Sequence, residues 1–283
     1  MESQKDFLKK TGYLYSKKTD AAWSNLHNRI EGESRISDIK PPFYSSWVFR
    51  IAASLILLMG IAWGIREMSG VGTEKIETAF NQRQVLLPDG TVAFLNSNSH
   101  LTYPQKFRGS NRTVQLSGEA FFKVAKNPRK PFIIETKIAQ IKVLGTQFNV
   151  NTTGNKRVEV LVKTGVVSLS SNENAADHLL LKKGDFGMVE AGQVKTAEVP
   201  DENYLSWQTK KFQFNNERLK NVVEVLGHAY ARKIVLASVS LDSARLTSTY
   251  NQASLEMIIQ SLCLTFHLQA TQKNNEIVLS PDN

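Results

Sequence analysis

The stretch Trp47–Ile65, Trp-Val-Phe-Arg-Ile-Ala-Ala-Ser-Leu-Ile-Leu-Leu-Met-Gly-Ile-Ala-Trp-Gly-Ile, constrains this chain more than any other segment. As a helix it would extend roughly 28 Å, close to the ~30 Å hydrocarbon core of a bilayer. Its single charge, Arg50, lies about a turn from the N-terminal end, where a long side chain can reach the headgroups. Trp47 and Trp63 stand near the two ends, where amphipathic rings collect at membrane interfaces. A buried core helix is the bland alternative. A cleaved secretory signal fits worse, because a largely polar segment precedes the stretch and no small-x-small cleavage site follows it. Residues 47–66 are therefore expected to form an uncleaved transmembrane helix.

Charge sets the expected orientation. Lys5, Lys9, Lys10, Lys17, Lys18, Arg29, Arg35 and Lys40 precede the span, whereas Arg66 and Lys75 after it are mixed with Glu67, Glu74 and Glu77. By the positive-inside rule residues 1–46 are cytoplasmic and the long C-terminal part is exported. Roughly 217 residues follow position 66, which suits two exported domains better than one. The net charge of +9 is spread along the chain, with no basic helix or aromatic-interleaved basic stripe, so no direct nucleic-acid contact is expected. Cys263 is the only cysteine; it excludes an intrachain disulfide and a cysteine-based zinc site, and its apolar setting suits an inert buried thiol.

Three patterns divide the rest. In the arm 1–46, Ala22, Trp23, Leu26 and Ile30 recur at helical spacing behind Asp20, a candidate N-cap, and a second apolar run extends from Phe7 to Tyr15. Two such short helices bury little against each other, so the arm reads either as a segment that lays its apolar face in a partner's groove or as a solvated tail. Ser37–Ser46, with Pro41-Pro42, reads as an extended linker, and 67–82 as a polar exported tether. From Arg83 the period becomes two: short β-branched and aromatic runs are punctuated by Pro88-Asp89-Gly90, Arg108-Gly109-Ser110, Thr164-Gly165 and Lys183-Gly184-Asp185. An all-β sandwich or roll is expected over 83–192, followed by a linker at 193–210. Residues 211–283 then read β-α-β-β-α-β-β, a small α+β domain with helices at Leu219–Tyr230 and after Ser254 and a final hairpin turning at Asn274-Asn275.

Little in the chain points to catalysis. His27, His100, His178, His228 and His267 are isolated along the sequence, and the common hydrolase, zinc, P-loop and dinucleotide motifs do not occur. No metal or other cofactor is expected. Asp89-Gly90 and Gly118-Glu119 read as turns before sites. Gly145-Thr146 has latent chemistry: at a strained bond the Thr146 hydroxyl could attack the Gly145 carbonyl and leave an ester that water opens. The alternative is a glycine that simply permits a tight bend.

Leu86-Leu87-Pro88-Asp89-Gly90-Thr91, Leu95-Asn96, Leu101-Thr102-Tyr103-Pro104, Leu116-Ser117-Gly118-Glu119-Ala120-Phe121-Phe122-Lys123-Val124, Lys130-Pro131-Phe132 and Val143-Leu144-Gly145-Thr146-Gln147-Phe148-Asn149-Val150, in this order, resemble the FecR-type anti-sigma factors. Residues 211–280, opening with Phe212-Gln213-Phe214-Asn215-Asn216, are similar to the C-terminal domain common in such proteins, itself similar to the short domain of secretins and TonB-dependent transducers. The resemblance implies a single-pass inner-membrane sensor that is not an enzyme. Its cytoplasmic arm would hold an extracytoplasmic-function sigma factor, with Trp23, Leu26 and Ile30 as apolar anchors, and its periplasmic domains would meet the signalling domain of a TonB-dependent outer-membrane transducer. It also matches Gly145-Thr146 to the dipeptide at which some relatives cleave themselves. The rival readings are an anchored periplasmic scaffold with no sigma factor client and an anchored enzyme.

Overall fold

Alternation of buried and exposed side chains, not helical periodicity, governs the chain from Thr73 to Ala197. The computed structural model describes residues 20–30, 46–68 and 72–282, apart from 153, 155, 175–176 and 274–275. It divides into Met1–Gly70 and Val71–Asn283.

In the first unit, residues 20–30 form helix α1 and Ser46–Met68 form helix α2. The side chains described in α2 run from Arg50 to Ile61 and all are exposed. Among them Leu55, Ile56, Leu57 and Met59 are each more than half exposed. Among the described residues no helix is long and apolar enough to cross a membrane. The Trp47 and Trp63 side chains, the Phe7–Tyr15 run, the linker through 37–45 and the Asn274-Asn275 turn lie outside the described residues.

The second unit opens with fourteen strands: β1 (Thr73–Thr78), β2 (Arg83–Leu86), β3 (Val92–Leu95), β4 (Ser99–Pro104), β5 (Arg112–Ser117), β6 (Glu119–Lys123) and β7 (Phe132–Glu135). They continue as β8 (Ala139–Val143), β9 (Gln147–Asn151), β10 (Arg157–Thr164), β11 (Val166–Ser171), β12 (His178–Lys182), β13 (Phe186–Glu190) and β14 (Gln193–Ala197). One seven-stranded sheet runs β1-β4-β5-β7-β8-β11-β12 and the other β14-β13-β10-β9-β6-β3-β2. Their inner faces share one core that includes Leu101, Phe122, Phe132, Ile141, Phe148, Val160 and Leu169. Phe122 stacks on Phe148, with ring centroids 5.7 Å apart. Loss of one such ring to alanine would cost about 3–5 kcal/mol.

The turn at Asp89 is built as its sequence suggests. Its Oδ1 accepts from the Thr91 amide, and its Oδ2 accepts from the Thr91 hydroxyl and from Arg112 Nη1 at 2.6 Å. Arg112, 2% exposed, also donates to the Lys130 and Ala125 carbonyls. These bonds engage Nε and Nη1 of the buried guanidinium and offset part of its desolvation, while Nη2 has no hydrogen-bond partner among the described residues.

Two boundaries differ from the sequence reading. Thr73–Thr78, expected within the tether 67–82, pairs antiparallel with β4. Its sequence Thr-Glu-Lys-Ile-Glu-Thr carries one large apolar side chain, so only the neighbouring strand makes it a strand. Gln193–Ala197, expected within the linker 193–210, extends the second sheet by pairing with β13. The remainder of that linker folds back: Ser206–Thr209 form a helical turn, α3, and Trp207 is 1% exposed.

Beyond it, β15 (Lys211–Arg218), α4 (Leu219–Tyr230), β16 (Lys233–Leu236), β17 (Arg245–Asn251), α5 (Leu255–Phe266), β18 (Leu268–Lys273) and β19 (Glu276–Pro281) give the expected β-α-β-β-α-β-β order. The Ser254 hydroxyl accepts from the Met257 amide and caps α5. Both helices bury the stripes their spacing predicts, Leu219, Val222, Val223 and Leu226 in α4 and Leu255, Ile258, Ile259 and Leu262 in α5. Val71–Asn283 is thus mostly β-sheet with a few short helices.

Candidate functional site

The first candidate is the apolar stripe of α1. Trp23, Leu26 and Ile30 fall at i, i+3 and i+7 and share one helix face. They are 67%, 50% and 59% exposed, so the face is open. Burying three such side chains against a partner would contribute about 1.5–3 kcal/mol each before the cost of ordering the arm.

The second is Gly145-Thr146, which joins β8 to β9. Gly145 has φ +153°, and a Cβ built on it would lie 2.6 Å from the Lys126 Cα. Backbone is already there, so packing requires glycine whatever chemistry follows. Thr146 is buried, and its hydroxyl donates to the Val166 carbonyl at 3.0 Å. The Val124 amide donates to the Thr146 carbonyl at 3.0 Å and the Asn127 amide to the Leu144 carbonyl at 2.8 Å, so hydrogen bonds flank the bond on both sides.

A third forms at Gly118-Glu119, which the sequence alone reads as a turn before a site. Gly118, at φ +97°, sits against the Ser99 Cα and sets Glu119 at the head of β6. There the Glu119 side chain, on the outer face of the second sheet, is 4% exposed. Its Oε1 accepts from Asn149 Nδ2 at 2.9 Å; its Oε2 accepts from Asn96 Nδ2 at 2.8 Å and meets His228 Nε2 of α4 at 2.9 Å. The bond to Glu119 raises the His228 pKa above its ordinary 6.5, against burial, which lowers it. Beside it Lys210 Nζ donates to Gln82 Oε1 and to the Ala229 carbonyl at the end of α4, and lies 4.6 Å from the Tyr230 ring centroid. Burial lowers its pKa to about 8. The Tyr204 hydroxyl donates to Glu159 Oε2 at 2.9 Å; burial, then the two carboxylates, push its pKa far up.

Around these polar groups the two domains share a core. Phe121, on the outer face of β6, belongs to the cluster of Trp207, Phe212, Leu219 and Leu226, with Phe94 packed against it. The histidines that looked isolated include one that joins two domains. Only the fold brings Glu119 and His228 together. Among the described residues no group of three His, Cys, Asp or Glu side chains is placed to hold a metal.

Comparison with known proteins places these features in a family. The model described as FecR protein matches residues 74–168, and that described as FecR, C-terminal matches 211–279, together more than half the chain. Two crystal structures of a protein from Parabacteroides distasonis assigned as an anti-sigma factor, at 1.65 Å and 2.50 Å, are similar to it. They share 28% and 27% identity, cover 74% and 75% of this chain and 100% of their own, and superpose with a TM-score of 0.55 in both cases. No curated protein sequence matches. The first family model begins inside β1 and the second at the first residue of β15, in agreement with the strands that open the two domains. The chain belongs to the FecR family of anti-sigma factors.

Proposed function

We propose that this chain is a single-pass inner-membrane anti-sigma factor whose arm, residues 1–46, sequesters an extracytoplasmic-function sigma factor. The observation that carries this reading is the open stripe of Trp23, Leu26 and Ile30 on α1, in a chain of this family. An amphipathic helix with three large exposed side chains suits a helix-in-groove contact. In this reading the apolar stretch Trp47–Ile65, close in length to a bilayer core by its sequence, is the membrane anchor, with the N-terminus cytoplasmic and the C-terminus periplasmic. The full chain, co-purified with each extracytoplasmic-function sigma factor of its source cell, is expected to retain one of them. It is expected to lose that factor in the triple variant Trp23→Ala, Leu26→Ala, Ile30→Ala. No complex with any of them would favour an anchored scaffold without a sigma factor client.

The periplasmic domains receive the signal from the signalling domain of a TonB-dependent transducer. Regulated proteolysis carries it inward: one cut in the exported part, then one within Ile51–Ile65, frees the arm. A chain that stays intact throughout induction would rule this out. Gly145–Thr146 is the self-cleavage bond in this scheme. The Thr146 oxygen bonds to the Gly145 carbonyl carbon as the C–N bond breaks, and the hydroxyl proton passes to the freed amine. Water then opens the ester, leaving a Gly145 carboxylate and an N-terminal Thr146. The buried hydroxyl held by the Val166 carbonyl supports the role. Sequencing should find a fragment that begins at Thr146, absent from Thr146→Ala and retained in Thr146→Ser; a single uncut chain removes this step.

A further inference from the structure

Five large apolar side chains of the β-sandwich are exposed, Phe80, Leu86, Leu144, Val166 and Leu180, and three of them, Leu144, Val166 and Leu180, line one groove. It has a volume of about 600 Å³ and lies on the outer face of the first sheet, between β8, β11 and β12 and the loop that follows β6. The register explains the cluster. Ser168 of β11 sits between Lys142 of β8 and Leu180 of β12, and Val166 pairs with Lys182, so apolar and basic side chains stand side by side in the outer rows. Exposed apolar side chains scattered singly are ordinary; three gathered in a concave site are not.

The charge around the groove has one sign. Lys126 and Lys142 line it and no carboxylate does. Neither lysine makes an ion pair among the described residues. We infer that this groove is a docking site for an extended acidic peptide segment of a partner protein, whose apolar side chains cover Leu144, Val166 and Leu180 while its carboxylates meet Lys126 and Lys142. Desolvated apolar contact would supply affinity, and the paired charges would set register and steer encounter. A membrane surface shares the apolar and anionic chemistry, but a bilayer cannot fill a concave groove. The inference stands on the sandwich alone and does not depend on the sigma factor reading.

The test uses the segment Val71–Asn283, a compact unit with its own cores. Random peptides displayed on phage would be selected on it and counter-selected on Leu180→Asp. Enriched peptides should combine Asp or Glu with large apolar residues. As labelled peptides they should lose about tenfold in affinity to Leu180→Asp and to Lys142→Glu, but not to Leu86→Asp, an exposed apolar position outside the groove. Lys142 and Leu180 are exposed, so the variants should melt with the parent. Three outcomes would overturn the inference: no groove-dependent peptide, enrichment of basic peptides, or binding to phosphatidylglycerol vesicles with the same dependence on Lys142 and Leu180.

Discussion

Glu119 is the residue on which the β-sandwich and the C-terminal domain meet. Replacing it by alanine would leave the Asn96 and Asn149 amides and His228 facing a buried site without an acceptor. We expect Glu119→Ala to destabilise Val71–Asn283 by about 3 kcal/mol in chemical denaturation, several times the effect of a surface Glu→Ala. Its partner gives stability a pH dependence of definite sign. His228 has a folded pKa above its ordinary 6.5, so its contribution is complete below pH 6.5 and fades as pH climbs through the folded value. Lys210 acts in the opposite sense. With a folded pKa of about 8 against an ordinary 10.5, the unfolded chain binds the extra proton between those values, and stability rises with pH there. Denaturation midpoints measured from pH 5 to pH 10 should therefore fall and then recover. His228→Gln should flatten the first limb and Lys210→Met the second; a monotonic profile would contradict the assignment.

At the scale of the element, the strands that could be read from sequence alternate cleanly, such as β4 with Leu101 and Tyr103 inward. Those that could not, β1 and β14, lie at sheet edges and contribute few apolar side chains, so pairing with a neighbour defines them. Strand β6 was recognisable as a strand, but its unusual burial on both faces was not. Ala120 and Phe122 fill the sandwich, and Phe121 enters a cluster built largely by residues beyond 200, a partner that no local pattern announces. Of the candidate sites, the stripe on α1 was legible because it is local, whereas Glu119 with His228 was not. The turn after β8 gives a third prediction. Gly145→Ala places a methyl against the Lys126 backbone at a φ that favours glycine, and should cost about 2–3 kcal/mol, read as a lowered melting temperature. A neutral substitution would mean that the loop at Lys126 yields freely.

At the scale of the whole molecule, the sandwich and the C-terminal domain share a core as well as a polar contact, so they should unfold as one. Trp207 is the only tryptophan in Val71–Asn283 and is buried within that shared core, which makes its emission a probe of the contact. Phe121→Ala should lower stability by about 3 kcal/mol and shift Trp207 emission to the red at denaturant concentrations where the β-sheet circular dichroism signal persists. Coincident transitions by both probes in that variant would show that the shared core is not what couples the domains.

The order of the strands bears on what a break at Gly145–Thr146 would do. Everything up to β8 would fall in one piece and everything from β9 in the other, yet β6 stays laddered to β9 and β8 to β11, with five facing residue pairs in each ladder. A severed backbone would therefore remain a clasp of two interleaved polypeptides, closed at rest. Tension along the strands must shear many rungs together, while tension across them peels rungs one by one. The direction of a pull, more than its presence, would decide when such a clasp opens.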